Sequence, residues 1–296
     1  MTQITLSRPN SAWIGAAWMV GAGAIFAVVN ILVQSSTMVQ GQASTSVAFW
    51  QYFIAFLFSI PWVLTRIRPA FRTEQLPLHI LRVILSAGGV QLWVMGLSSV
   101  PIWQAIALLM TSPFFVTIGA GLVLGEPVTR DRWLAVIAGF MGGMIILAPW
   151  ADDFSYAALY PVGAAVLWAL ATLVTKFLTR SDSADTLTLY LLLLLTPINA
   201  ALAFQGGFAL TGTTAIWLVI GAGVLTATAQ YALVRAYSVA DAAYLQPFDH
   251  LKLPFNVVLG FVVFGFAPEG SMWLGTLIIF AASAFLLSRE ARATAA

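Results

Sequence analysis

One short stretch of this chain gathers ionisable groups inside an apolar run. AAYLQPFDHLKLPFN, residues 242–256, sets Asp249, His250 and Lys252 among apolar side chains and between Pro247 and Pro254. If the run crosses a membrane, each charge costs about 2.5 kcal/mol or more at its centre, so these groups must face a cavity or one another. Asp249 and Lys252 are three residues apart and share a helix face, which permits an ion pair. Such a pair either lines a cavity or neutralises itself while locking two helices together. Lys252 could also pair a substrate carboxylate. Histidine is the side chain type that changes charge near neutral pH, which makes His250 a candidate for coupling to a proton gradient, the plainer reading being an imidazole hydrogen-bonded to a neighbouring helix.

Pro247 and Pro254 remove backbone donors and break or kink the helix that carries them. Pro113, in LLMTSPFF, stands at the corresponding place of the first half, one position out of register. Matching breaks in two halves of a membrane protein point to a central binding site, because freed backbone groups are tolerated only where protein or a cavity satisfies them. Uncharged polar and aromatic residues supply the remaining candidate wall: Asn30, Gln91, Trp93, Trp168, Thr172, Tyr244 and Gln246. Asn and Gln also serve as interhelical hydrogen bonds worth about 0.6–2 kcal/mol, so each has a structural reading beside the binding one. Trp93 and Trp168 could stack on an apolar or aromatic substrate. Trp13, Trp62, Trp103, Trp150 and Trp217 lie near span ends and fit an interfacial belt.

The elements that must position these residues are membrane helices. The apolar fraction is 60%, the charged fraction 8% and the mean hydropathy +0.93, too few charges to clothe a soluble domain of 296 residues. A span takes about 20 apolar residues. Apolar runs at 12–34, 45–65, 78–97, 102–124, 132–149, 157–178, 186–205, 214–234, 242–264 and 271–288 predict an all-α polytopic protein of ten spans. Residues 1–11 read as a short cytoplasmic lead rather than a cleaved signal. With the N-terminus inside, every Lys and Arg except Lys252 falls at a cytoplasmic loop or span end. Dropping one span would destroy that asymmetry, so the even count and both termini in the cytoplasm are expected together.

The halves repeat. Ser98 and Ser238, Gly125 and Gly265, and Trp133 and Trp273 are each 140 positions apart, and VLGEPVTRDRWL aligns without gaps on VFGFAPEGSMWL. GAGAIFAVVN resembles GAAVLWALAT. Residues 1–150 and 151–296 therefore read as five-helix repeats of one membrane domain. Because five is odd, the second enters the membrane inverted.

Several function classes are excluded by what is missing. The 13 basic and 11 acidic residues are too dispersed for a nucleic-acid footprint. Cysteine is absent, so thiolate metal ligands and cysteine nucleophiles are ruled out. There is no GxxxxGK[ST] loop for ATP, and Asp152/Asp153, the adjacent acidic pair on an outer loop, has no third ligand nearby for Mg²⁺. A membrane enzyme is disfavoured, and no cofactor or metal is expected. A channel would call for a continuous polar lining instead of proline-broken helices around a charged cluster. The expected partners are a small-molecule substrate and lipid. Gly121/Gly125 and Gly139/Gly143 mark close helix packing or the face of a homodimer.

The five-plus-five order, GEP at 125–127 closing the fourth span, the Pro113 and Pro254 breaks and the FAVVN and WALAT openings together resemble the drug/metabolite transporter superfamily, EamA type. The general look is also similar to YddG-type amino-acid exporters of bacterial inner membranes. The resemblance implies a secondary carrier of the inner membrane that exports amino acids, aromatic or large apolar ones first, through a cavity between the halves. Export of other drugs or metabolites, such as nucleosides or sugars, is the alternative it leaves. Phe266 stands where the second half would repeat Glu126, so the family acid occurs here once.

Overall fold

The computed structural model describes residues 9–64, 73–123, 130–147, 150, 155–178, 181–182, 184–204, 207–239, 248, 251–267 and 270–295. It is an all-α membrane bundle. The helices are α1 (Pro9–Gln34), α2 (Ser44–Leu64), α3 (Leu76–Leu97), α4 (Ile102–Leu109), α5 (Ser112–Val123), α6 (Arg130–Leu147), α7 (Leu159–Leu178), α8 (Ala184–Ala203), α9 (Thr213–Val239), α10 (Lys252–Phe264) and α11 (Gly270–Ala295). Together α4 and α5 make one broken span, so the eleven helices of the described residues correspond to ten crossings. Among the described residues, four stretches are long and apolar enough to cross a bilayer by themselves, at 13–39, 76–97, 156–175 and 213–233. Shorter apolar stretches lie at 102–116, 137–146, 189–203, 252–264 and 270–282, which suits helices shielded by neighbours.

The ends of these elements follow from local chemistry. Between α4 and α5 the chain turns at Met110 and Thr111, the Thr111 hydroxyl donates to the Leu108 carbonyl at 2.6 Å, and Pro113 is the second residue of α5. Proline has no N–H to lose in a first turn. Pro254 likewise lies in the first turn of α10. Gly265 ends α10 in the left-handed region at φ 69°, its N–H bonded to the Phe261 carbonyl at 2.9 Å, a conformation that a side chain resists. Past α1 the chain widens into a π-helical turn, Ser35–Val39. The Gln34 amide there donates to the Leu97 and Val100 carbonyls at 3.1 and 2.9 Å, pinning the end of α3.

Packing interlocks the halves. The most extensive seams are α1 with α9, α3 with α7, α6 with α11, α2 with α9, and α2 with α8, and each joins a helix before residue 150 to one after it. Exchanging each span for the one five later turns α1–α9 into α7–α3, α2–α9 into α8–α3 and α1–α10 into α7–α5, all of which are present. The bundle is therefore two inverted five-helix repeats.

In lipid no hydrophobic force presses helices together, so close packing at small residues carries association. At the α6–α11 seam a Cβ on Gly142 would stand 2.7 Å from the Gly275 carbonyl oxygen, and one on Gly275 would stand 2.6 Å from that of Gly142. Gly139 and Gly143 are also spent inside the chain, against the Phe114 ring and the Thr111 methyl. Outward, Ile137, Met141, Val258, Phe261, Val262, Leu274 and Leu277 are exposed, as lipid-facing side chains should be. Gly275→Leu is expected to force α6 and α11 apart and cost about 1–3 kcal/mol. A clear fall in the melting temperature of the detergent-purified protein would show it, and an unchanged midpoint would refute the contact.

Candidate functional site

Three polar side chains of the interior meet where helices of both repeats pack against one another. Asn30 lies in the second half of α1 and is 9% exposed, Trp93 near the end of α3 is 7% exposed, and Asn256 in α10 is fully buried. The Trp93 indole N–H donates to Asn30 Oδ1 at 3.2 Å. The Asn30 amide donates to Asn256 Oδ1 at 3.0 Å, and the Asn256 amide donates to the Lys252 carbonyl at 2.6 Å. The chain of donors runs in one direction, Trp93 to Asn30 to Asn256 to the first turn of α10. Buried as it is, such a chain fixes side-chain orientation as well as contributing energy.

Lys252 opens α10 and is half-buried. Its Cβ would lie 3.5 Å from a Cβ built on Gly23, so the smallness of Gly23 brings α1 against this turn. The positive end of the α10 dipole and the lysine charge share a place, which favours electron-rich groups there.

Two tryptophans flank the amide chain. Trp168 of α7 faces Trp93 with ring centroids 6.0 Å apart and planes inclined at 47°. Gly89, one turn before Trp93, makes room for it, since a Cβ at that position would stand 2.5 Å from Trp168 Nε1. The first repeat thus supplies Asn30 and Trp93, the second Trp168, Lys252 and Asn256. The arrangement offers inclined indole faces, amides able to donate or accept, and a cation.

Gln91 and Thr172 are not brought to this cluster. Two residues correspond to about 200° of helix, so Gln91 points away from Trp93 and donates to Asn199 Oδ1 of α8 at 3.1 Å, a bond between helices. The Thr172 hydroxyl is exposed and donates to the Trp168 carbonyl on its own helix at 2.9 Å. Tyr244, Gln246, Pro247, Asp249 and His250 lie outside the described residues.

Asn256 escaped the sequence reading although it stands inside the stretch that drew attention. Its signal is the spacing to Lys252: four residues put both on one face of α10. Asn199 and the pair His79 and Asp182 were also missed. The latter are joined at 2.6 Å, and His79 is fully buried. They sit near helix ends, where polar residues are common and attract no notice.

Comparison with known proteins bears on what such a cluster handles. The model of the EamA-like transporter family matches residues 13–148 and 155–288. A riboflavin transporter of Rhizobium johnstonii is 51% identical over 293 residues, 99% of this chain and 97% of that protein. A riboflavin transporter of Vibrio cholerae serotype O1 is 51% identical over 280 residues, 94% of each. One protein of known crystal structure, 17% identical, has the same fold with a TM-score of 0.64 over 96% of this chain and 99% of that one.

Proposed function

This chain belongs to the EamA-like transporter family, and on that footing we propose that it carries riboflavin, or a flavin closely like it, across the bacterial inner membrane with both termini in the cytoplasm. That the protein is a multi-pass membrane transporter and not an enzyme follows from the family and from relatives similar over nearly their whole length. The substrate is the further step. The observation that carries it is the pair of inclined indoles, Trp93 and Trp168, beside the Asn30–Asn256 amides. A flavin ring is flat, apolar along one edge and studded with carbonyl oxygens and an imide N–H along the other. It can lie on an indole face while its polar edge exchanges hydrogen bonds with side-chain amides, and the positive first turn of α10 suits the carbonyls.

The sequence expectation of amino-acid export comes from the resemblance to YddG-type exporters, with Lys252 as the candidate anchor for a substrate carboxylate. The relatives at 51% identity favour a flavin instead, which needs no such anchor. Both readings place the substrate between the repeats, and one assay separates them. Purified protein in proteoliposomes should take up riboflavin with saturable kinetics, read by the vitamin's own fluorescence. Unlabelled flavin should compete and a hundred-fold excess of tryptophan or phenylalanine should not. Saturable amino-acid flux without flavin flux would give the substrate back to the earlier expectation. Preloaded vesicles test export as well, because a secondary carrier works in both directions and the gradients set the net flux.

A further inference from the structure

Two polar clamps tie the repeats together at opposite ends of the bundle. At the first, Gln42 is nine-tenths buried; its amide donates to the Gln40 and Thr211 carbonyls at 2.8 and 3.1 Å and its Oε1 accepts from the Thr211 N–H at 2.9 Å. Ser46 and Trp50, on the first turns of α2, donate to the Gly207 and Phe208 carbonyls at 2.6 and 2.7 Å. At the opposite end Asp182 Oδ2 accepts from the Thr73 hydroxyl at 2.7 Å and meets His79 Nε2 at 2.6 Å. Arg82, one turn on, donates to the Leu187 carbonyl at 2.9 Å. The Tyr190 ring lies on the His79 imidazole with centroids 4.6 Å apart.

These clamps are mates under the inversion. Gln42 and Asp182 are 140 positions apart, the spacing that relates Ser98 to Ser238 and Trp133 to Trp273. The first clamp joins the loop before α2 to the loop before α9. The second joins the loop before α8 to the loop before α3, which is the same pair with the repeats exchanged. An inverted-repeat carrier changes its open side by letting one repeat adopt the conformation of the other, so equivalent contacts at the two ends must trade states. Yet their chemistry differs. The first clamp is neutral, and the second is built from a carboxylate, an imidazole and a guanidinium. The imidazole is held through one nitrogen alone, since Nδ1 makes no hydrogen bond.

We propose that Thr73, His79, Arg82 and Asp182 form the latch that closes the end of the transporter expected to face the cytoplasm, and that their charge biases the resting protein toward that closure. The neutral Gln42 clamp is the weaker counterpart at the other end. Charge-assisted hydrogen bonds outweigh neutral ones, so opening the latched end takes more than opening its mate. Both clamps are made at once here, and a change of access through this seam breaks one of them.

The test needs no substrate and so stands or falls apart from the flavin reading. The chain has no cysteine, and spin labels at exposed positions report each end: Glu74→Cys with Ser181→Cys across the latch, Gln40→Cys with Ala209→Cys across the other clamp. Distances are measured by pulsed electron resonance in nanodiscs. Asp182→Ala should lengthen the latch-end distance and raise the open-to-closed ratio about ten-fold or more, leaving the other pair short. Gln42→Ala should lengthen only the opposite pair, by a smaller factor. His79→Gln, which keeps a donor but not the ring, should fall between wild type and Asp182→Ala. Unchanged latch-end distances in Asp182→Ala would overturn the proposal, as would equal broadening at both ends, the mark of a merely loosened fold.

Discussion

Asn30→Ala is expected to lower transport at limiting substrate about 30-fold or more, since it strips two buried partners at once and each orphaned group costs about 1–3 kcal/mol. The Trp93 indole N–H loses its acceptor and Asn256 Oδ1 loses its donor. The joint is also mechanical, because the Asn30 amide connects α1, α3 and α10 through side chains. Asn256→Ala should give a similar loss, and the double variant should be less impaired than the product of the two, with a coupling of about 0.5–3 kcal/mol. Initial uptake rates for the four proteins, normalised to the folded amount, decide the matter. Strictly additive losses would mean that the two amides act separately.

Trp168→Ala is expected to raise the KM for riboflavin about 5- to 150-fold, the equivalent of about 1–3 kcal/mol for an aromatic ring stacked on a planar base-like ligand. On the proposed reading the maximal rate should change far less, because the indole would hold the substrate rather than drive the change of access. Trp168→Phe should recover part of the affinity. Gly89→Val pushes on the same indole from α3 and should raise the KM while leaving Trp168 in place. A KM that stays the same in both Trp168 variants would put the flavin ring elsewhere and leave Trp168 as packing between α3 and α7.

Much of the fold could be read from the chain because the bilayer simplifies the problem. Apolar length and the side on which Arg and Lys fall placed most described helices to within a few residues, as with α3 at 76–97 against an expectation of 78–97, while α9 and α11 run five and seven residues past their expected ends. The 140-residue repeat likewise predicted an inverted pairing that the helix seams display. The site was legible only in part. Trp93, Trp168, Asn30 and Lys252 could be named by type, since polar and aromatic residues deep in a span are few. Their facing was another matter. Gln91 has the same chemistry as Asn30, yet a two-residue offset turns it toward α8. Asn256 was hidden by the charges before it. His79 and Asp182 are 103 residues apart in sequence, and no local pattern joins them.

The interlocking of the two halves has a consequence for how the protein is made. A ribosome delivers the first five spans to the membrane before any of the second five exist, yet every major seam needs one of each. During that interval Asn30 lacks Asn256 and Gln91 lacks Asn199, so the nascent half carries unmated amides in the bilayer. It must be shielded by the insertion machinery or be recognised as unfinished and degraded. Completion of synthesis is then the event that rescues the first half. By the same logic, two separately expressed pieces cut near Trp150 should each be short-lived alone and persist only when made together.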